Sequence, residues 1–185
     1  MRNASILYSI YIILLASYTR FPDAEKPFRI LISSPRRLQV AFIGLLLLLP
    51  LPAVAVEGTL TADKDNSLYE HPDGSQSNGA GDYLFVGISN GLSQRALVFF
   101  DIAGSIPDGS TIESVSLTMN VSNSQAGTEN VRLHRLLADW GEGDSVDGEE
   151  DSGATATRGD ATWIHSFSSD TMWENPGGDF ASIAS

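Results

Sequence analysis

The stretch Thr111-Ile-Glu-Ser-Val-Ser-Leu-Thr-Met-Asn-Val121 decides the fold class, because its side chains alternate with a period of two. Apolar residues fall on one side of an extended chain, and Ser, Thr and Asn residues fall on the other. The apolar set is Val115, Leu117, Met119 and Val121. A turn comes just before, where Pro107 presets φ and Gly109 tolerates a positive φ. The pattern therefore predicts a β-strand with one face in the core.

Short strand patterns separated by turn residues extend on both sides of this stretch, and no amphipathic helix pattern appears after Val56. Arg95 to Ile102 is apolar on both faces, which is typical of a central strand. Regular short strands of this kind predict an all-β domain over residues 56–185, an antiparallel β-sandwich of jelly-roll type. The other expected strands are Val56–Ala62, Tyr83–Gly87 and the segment from Val131 to Leu137, whose buried face is expected to carry Val131, Leu133 and Leu137. Asp65–Tyr69 is expected to be a turn that leads into a short strand.

A targeting pattern precedes the domain. Arg36-Arg37 are followed by the apolar run Leu38 to Leu51 and by Ala53-Val54-Ala55, a small-residue cleavage site. The sequence therefore predicts a secreted protein cleaved after Ala55, with membrane contact only through this segment. Residues 1–37 form an upstream extension, interpreted as a membrane anchor or as a start assigned too early. The second interpretation is favoured, because a signal peptide works close to the N-terminus.

The charge of the chain excludes two partner classes. The whole chain has a net charge of −12, whereas from Val56 onward five Lys/Arg stand against 21 Asp/Glu, a net charge of −16. Such a surface repels nucleic-acid phosphates and anionic lipid head groups. The chain has no cysteine, which excludes disulfides and cysteine-based metal or nucleophile sites.

A series of short motifs follows in order through the domain. They are Asp65-Asn-Ser-Leu-Tyr69, Ser77-Asn-Gly-Ala-Gly81, Arg95-Ala-Leu-Val-Phe-Phe-Asp-Ile-Ala103, Ile106-Pro-Asp-Gly-Ser110, Leu133-His-Arg135, Asp139-Trp-Gly-Glu-Gly143, Gly159-Asp-Ala-Thr-Trp163 and Trp173-Glu-Asn-Pro-Gly-Gly-Asp-Phe180. In this order and spacing they resemble the DNRLRE-type domains of secreted bacterial proteins. Those domains are similar to the carbohydrate-binding modules of family 96 attached to alginate lyases.

The resemblance implies a jelly-roll sandwich, an extracellular setting, binding of acidic polysaccharide such as alginate in some members, and a catalytic domain in full-length relatives. Such domains continue for several strands beyond the Gly-Gly-Asp-Phe motif, whereas this chain ends at Ser185. We therefore expect a C-terminally truncated sandwich with an unpaired edge and a partly exposed core.

Three tryptophans are the first candidates for ligand binding. Trp140, Trp163 and Trp173 can form a platform that stacks on sugar rings, because aromatic faces cover the apolar faces of pyranoses. The alternative is that they pack in the core, and tryptophan in a Trp-Gly-Glu-Gly turn or at a strand start favours packing. Trp173, among Asn, Pro and Gly residues, is the best stacking candidate.

Basic residues near the first tryptophan form a second candidate site. Arg135 shares the parity of Val131 and Leu133, so we expect it to point inward and to pair with Asp139 or Glu142. Arg132 and His134 then face outward and are the candidates for contact with an anionic glycan. A solvated strand face is the favoured alternative for both residues.

Carboxylates between residues 139 and 151 suggest calcium, which binds six to eight oxygen ligands. Asp139, Glu142 and Asp144 are the candidate ligands, although their spacing matches no defined calcium loop. A disordered acidic loop is the favoured alternative. Because calcium would bridge two anionic partners, a calcium-dependent mode and a neutral glycan stand beside alginate as options.

The sequence predicts a protein that is not an enzyme. His71, His134 and His165 have no zinc spacing, and neither a Gly-x-Ser-x-Gly motif nor a phosphate-binding loop is present. The resulting function is a secreted, non-catalytic, carbohydrate-binding-like module. The alternative is a structural or adhesive extracellular β-sandwich without a sugar site.

Overall fold

The computed structural model describes residues 9–15, 19–22, 28–34, 54–124, 130–148 and 152–184, and of residues before 56 it describes the backbone alone. Within these ranges the chain forms fourteen strands and one helical turn. They are β1 Ser9–Leu15, β2 Thr19–Pro22, β3 Phe28–Ser34, β4 Val54–Leu60, β5 Lys64–Tyr69, β6 Gln76–Ser77, β7 Tyr83–Ser89, β8 Leu92–Asp101, α1 Ile102–Ser105, β9 Thr111–Leu117, β10 Arg132–Leu136, β11 Ala154–Thr155, β12 His165–Phe167, β13 Thr171–Met172 and β14 Phe180–Ala184.

Strand β8 is the centre of the largest sheet, as its sequence predicted. The sheet has the order β14-β10-β1-β8-β7-β2, and β5 also pairs with β8. All strand pairs are antiparallel. Both faces of β8 are buried, since Ala96, Val98 and Phe100 join one core cluster and Leu97 joins another. A strand covered on both faces reads as a continuous apolar run.

Two different layers cover the two faces of this sheet. On one side Leu60 of β4 and Ile112 and Leu117 of β9 pack against the first core cluster. These residues belong to a separate three-stranded sheet of order β4-β3-β9. On the other side the cover is a layer of loops and short strands between Ala138 and Phe180, which includes the tryptophans. We call this second cover the loop layer (residues 138–180).

The strand that decided the fold class is only partly covered. Leu117 and Met119 pack against the core as expected, but Val115 is 45% exposed and Val121 is 49% exposed. The prediction that all four apolar side chains are buried was therefore wrong for two of them. The reason is local, because β9 is an edge of a small three-stranded sheet that covers the large one incompletely.

The second wrong prediction concerns which side chains of β10 are buried. His134 and Leu136 are buried, whereas Arg135 and Leu137 are exposed, so Arg135 does not point inward and His134 does not face solvent. The prediction placed the buried face on the parity of Leu133, whereas the buried side chains, His134 and Leu136, have the other parity. Leu133 packs against the first core cluster and Leu136 belongs to the second. A register shift against β14 between His134 and Leu136 adds to the irregularity.

The N-terminal extension contributes backbone to both sheets. β1 pairs with β8 and β10, β2 pairs with β7, and β3 pairs with β4 and β9. The predicted leader from Arg36 to Ala53 lies outside the described residues, and the predicted cleavage bond after Ala55 lies within β4. No helix in the described part of the chain is both long and apolar enough to cross a membrane.

The predicted all-β class, with antiparallel sheets, is confirmed. The one helical turn, α1, directly follows β8 and begins where the Asp101 side chain accepts a hydrogen bond from the backbone N–H of Gly104 at 2.9 Å. That interaction satisfies one of the free N–H groups at the start of a helix.

Candidate functional site

The three tryptophans lie in the second core cluster and do not form an open platform. Trp140 is fully buried, and Trp173 and Trp163 are 5% and 8% exposed. The indole N–H of Trp173 donates to the backbone oxygen of Thr162 at 2.8 Å, which fixes the ring under the loop layer. Sugar stacking needs an accessible ring face. In this structure the tryptophans therefore act as packing residues.

A guanidinium group covers Trp163. The Arg95 guanidinium carbon lies 4.6 Å from the Trp163 ring centroid and 5.2 Å from that of Phe180. One terminal nitrogen of Arg95 donates to the backbone oxygen of Gly177 at 2.6 Å. Burial lowers the pKa of Arg95, and nearby Glu70 partly offsets this. Arg95 thus fastens the Gly-Gly-Asp-Phe motif to the central strand through cation–π contacts and one charge-assisted hydrogen bond.

Lys64 makes the matching contact at Trp140. Its ammonium nitrogen lies 4.7 Å from the Trp140 ring centroid and 5.3 Å from that of Phe99. It also pairs with the Asp139 carboxylate at 2.9 Å and donates to the backbone oxygen of Trp140. Asp139 was expected to pair with Arg135 or to bind calcium. The structure assigns this carboxylate to Lys64 instead, on a strand 75 residues away in sequence.

A buried polar network lies beneath the loop layer. It consists of Asn66, Ser77, Asn78, Ser145 and Asp160, each at most 2% exposed. The Asn66 side-chain amide donates to the backbone oxygen of Glu142 at 2.9 Å, and its oxygen accepts from the Ser77 hydroxyl at 2.9 Å. Buried polar groups are costly unless they are hydrogen-bonded, so these bonds tie together segments that are distant in sequence.

Asp160 closes this network at the loop layer. Its carboxylate accepts hydrogen bonds from the backbone N–H of Thr157 at 2.6 Å and from that of Ser145 at 3.4 Å. A Cβ atom at Gly143 would lie 1.6 Å from an Asp160 carboxylate oxygen, and one at Gly79 would lie 1.6 Å from the Glu142 backbone oxygen. The glycines of these motifs are therefore required by close packing.

The calcium candidates do not come together. Asp139 pairs with Lys64, the Glu142 carboxylate accepts the backbone N–H of Asp65 at 2.8 Å, and Asp144 is exposed. Among the described residues no group of three histidine or acidic side chains is arranged to hold a metal ion. The acidic segment is ordered at least to Gly148, while residues 149–151 lie outside the described ranges. The expectation of a wholly disordered loop was therefore wrong for its first part.

Arg132 and His134, the candidates for contact with an anionic glycan, differ in exposure on β10: the first is exposed and the second is buried. Arg132 is exposed at the start of the strand. His134 is 7% exposed, its Nδ1 atom lies 2.8 Å from the backbone oxygen of Ala181, and its ring packs edge-on against Phe180 at 5.3 Å. His134 thus joins β10 to β14, and of the pair Arg132 alone is placed to meet a ligand.

A cleft that sequence reasoning missed lies between the β5–β6 loop and the β7–β8 hairpin. Its volume is about 220 Å³. We call it the hairpin cleft, and its walls include Glu70, His71, Gln76, Asn90, Leu92 and Ser93. Amide and hydroxyl groups predominate over charge. No motif pointed to it, because its walls come from four separate chain segments.

Two acidic residues of the β5–β6 loop, Glu70 and Asp73, have pKa values below the ordinary range. Hydrogen bonds from Ser93, chiefly, hold the pKa of Glu70 below its ordinary value, and the backbone N–H of Ser93 donates to its carboxylate at 2.7 Å. Hydrogen bonds from Ser75 and then His71 lower the pKa of Asp73. These carboxylates organise the loop from Glu70 to Ser75.

Comparison of the chain with protein-family models, curated proteins and solved structures finds no significant match.

Proposed function

We propose that this chain is a non-catalytic, exported β-module with a structural or adhesive role, built on a sandwich of jelly-roll type. The observation that carries the proposal is the burial of Trp140, Trp163 and Trp173. A platform for sugars would leave at least one ring face open to solvent, whereas all three side chains are almost completely covered by the rest of the protein. The leader pattern and the acidic surface support a role outside the cell.

The motif set that resembles DNRLRE-type domains has a consistent structural explanation under this proposal. Its glycines allow neighbouring chain segments to pack closely, and its Asn and Asp residues contribute to the buried polar network. Its aromatic rings make cation–π contacts with Lys64 and Arg95. Each motif therefore contributes to folding, and one scaffold of this kind can serve in secreted proteins with different ligands or with none.

Acrylamide quenching of tryptophan fluorescence tests the proposal on the full chain. We expect the folded chain to be quenched several times less efficiently than the same chain in concentrated urea, because all three rings are covered. The control is an exposed tryptophan placed by Met172→Trp, since Met172 is 64% exposed. Equal quenching of the folded and unfolded chain would refute the structural role of these residues.

A second candidate function is recognition of polysaccharide, and the hairpin cleft is the observation that favours it. Amides and hydroxyls from Gln76, Asn90 and Ser93 suit the hydroxyl groups of a neutral sugar, and Leu92 offers apolar surface. The net charge of −16 from Val56 onward disfavours alginate at long range, although Arg132 offers a local positive charge. The resemblance to alginate-lyase-associated modules implies a catalytic domain in full-length relatives, which a binding module would direct to its substrate.

Affinity electrophoresis in gels that contain neutral glycans or alginate, with and without calcium, tests this candidate. Retention that is lost with Gln76→Ala but kept with Arg132→Ala would support the hairpin cleft. Retention in alginate that is lost with Arg132→Ala would instead support the β10 surface. Free migration in every gel would reject a sugar site on this chain and leave the structural role as the function.

A further inference from the structure

The β7–β8 hairpin turns through an exposed Asn-Gly pair. Ser89 pairs with Leu92, so Asn90 and Gly91 form a two-residue loop. Their φ values are 52° and 81°, as a type I′ turn requires at both positions. A Cβ atom at Gly91 would meet nothing within 4 Å, so the backbone here is surrounded by open space.

We propose that Asn90 is a site of spontaneous deamidation in the folded protein. Hydroxide removes the proton from the Gly91 backbone nitrogen, which attacks the side-chain carbonyl carbon of Asn90. A carbon–nitrogen bond forms and closes a five-membered succinimide ring. The bond from that carbon to the Asn90 amide nitrogen breaks, and the nitrogen takes up a proton and leaves as ammonia. Water then opens the ring to give aspartate or isoaspartate.

The residue types and their exposure favour this reaction at Asn90. Glycine has no side chain to shield the attacking nitrogen, and it has the greatest freedom to rotate into the geometry of attack. Asn90 is exposed to water and hydroxide. The reaction consumes one water and releases one ammonia, so it needs neither an oxidant nor an enzyme.

The chain contains a second Asn-Gly pair, Asn78-Gly79, which the fold protects. Asn78 is 1% exposed, its amide group donates to the backbone oxygen of Tyr83 at 2.8 Å, and its oxygen accepts from the backbone N–H of Asp147 at 2.7 Å. The Gly79 nitrogen, which would have to attack, donates to the Ser145 hydroxyl at 3.1 Å. This pair cannot rotate without breaking the buried polar network.

Deamidation would change the hairpin cleft, because Asn90 lies on its rim. A neutral amide becomes a carboxylate in the same cleft as Glu70, which adds negative charge to an acidic protein. The isoaspartate product also lengthens the backbone of the two-residue loop by one carbon, which disturbs the pairing of Ser89 with Leu92. The cleft of an aged molecule is therefore more anionic than that of a new one.

Peptide mapping by mass spectrometry tests the proposal on the full chain in mildly alkaline buffer. The tryptic peptide from Asp65 to Arg95 contains both Asn-Gly pairs, so each spectrum carries its own control. We expect Asn90 in the folded chain to gain about one mass unit in ordinary water and about three in ¹⁸O-labelled water. Asn78 should react only after unfolding in urea.

Two variants separate chemistry from folding. Gly91→Ala should slow the reaction about tenfold, since a Cβ atom restricts the backbone and shields the nitrogen. Asn90→Asp keeps a residue that this turn type accepts, and should fold normally and show no further mass gain. An unmodified Asn90 in folded chain, under conditions in which urea-unfolded chain reacts, would overturn the proposal. Equal rates at Asn78 and Asn90 would do so too.

Discussion

The two covers of the central sheet are built in opposite ways. Strand β9 of the three-stranded sheet β4-β3-β9 has the most regular sequence pattern, yet Val115 on it is 45% exposed. The loop layer has almost no periodic pattern, yet it buries three tryptophans and a polar network. A regular pattern specifies strand conformation, whereas close packing depends on specific contacts between distant segments. We therefore expect the loop layer to be sensitive to single substitutions and the small sheet to be tolerant.

The largest effect is expected at Gly143. In Gly143→Ala the new Cβ atom would lie 1.6 Å from the Asp160 carboxylate, on a backbone with φ of 75°. Overpacking and backbone strain together should lower the free energy of unfolding by about 4 kcal/mol. Gly109→Ala is the matched control, because its φ is 79° but its surroundings are open. Its expected loss is about 1 kcal/mol. Urea unfolding measures both, and equal losses would show that the close contact contributes nothing.

A smaller loss is expected from Asp160→Asn. The new amide group cannot accept both backbone N–H bonds that the carboxylate accepts, so a buried donor loses its partner. The expected cost is about 2 kcal/mol of unfolding free energy. Asp170→Asn is the control, since Asp170 pairs with Arg158 at the surface at 3.4 Å and its loss should cost at most about 0.5 kcal/mol. An undiminished urea midpoint for Asp160→Asn would contradict this account of the network.

The small sheet itself offers a comparison of two positions on one strand. Leu117 packs against the first core cluster, so Leu117→Thr should cost about 2 kcal/mol. Val115 is largely exposed, so Val115→Thr, which keeps a β-branched side chain, should cost no more than about 0.5 kcal/mol. Thermal unfolding followed by circular dichroism compares the pair. If Val115→Thr were as costly as Leu117→Thr, the face of β9 would be covered in solution.

The smallest effect concerns the dependence of stability on pH. Hydrogen bonds from Ser93 lower the pKa of Glu70 in the folded chain from its ordinary value of 4.5. Its contribution is therefore present above pH 4.5 and is lost as the pH falls through the lower, folded-state pKa. We expect Glu70→Gln to be less stable than the parent by about 0.5 kcal/mol at neutral pH, and equally stable in strong acid. Urea midpoints measured across this range check the convergence, and a constant difference at all pH values would contradict it.

Sequence reasoning predicted the conformation of the strands more accurately than their surroundings. The central position of Arg95 to Ile102 followed from an apolar run on both faces, and the structure agrees. The prediction of which β10 side chains are buried was wrong. Leu133 and Leu136 lie on opposite faces of the strand, and each contacts a different core cluster. Side-chain direction in a strand follows parity, but parity alone does not identify which face is covered.

The candidate site was less predictable, because its contacts join distant segments. The partner of Asp139 was sought nearby at Arg135, but it is Lys64, and Arg95 reaches Gly177 across 82 residues. The hairpin cleft could not be predicted from the sequence either, because its walls come from four separate chain segments. In contrast, burial was the favoured interpretation of the tryptophans, because tryptophan in a Trp-Gly-Glu-Gly turn or at a strand start is usually packed, and the structure agrees.

The setting of Lys64 has a practical consequence for binding measurements on this protein. The chain has two lysines, Lys26 and Lys64. Amine-reactive dyes, biotin esters and carboxylated sensor chips would couple to the Lys64 amino group, which contacts the rings of Phe99 and Trp140. Coupling there would remove the charge and loosen the loop layer. Immobilisation through a single introduced cysteine avoids this, because the natural chain has none.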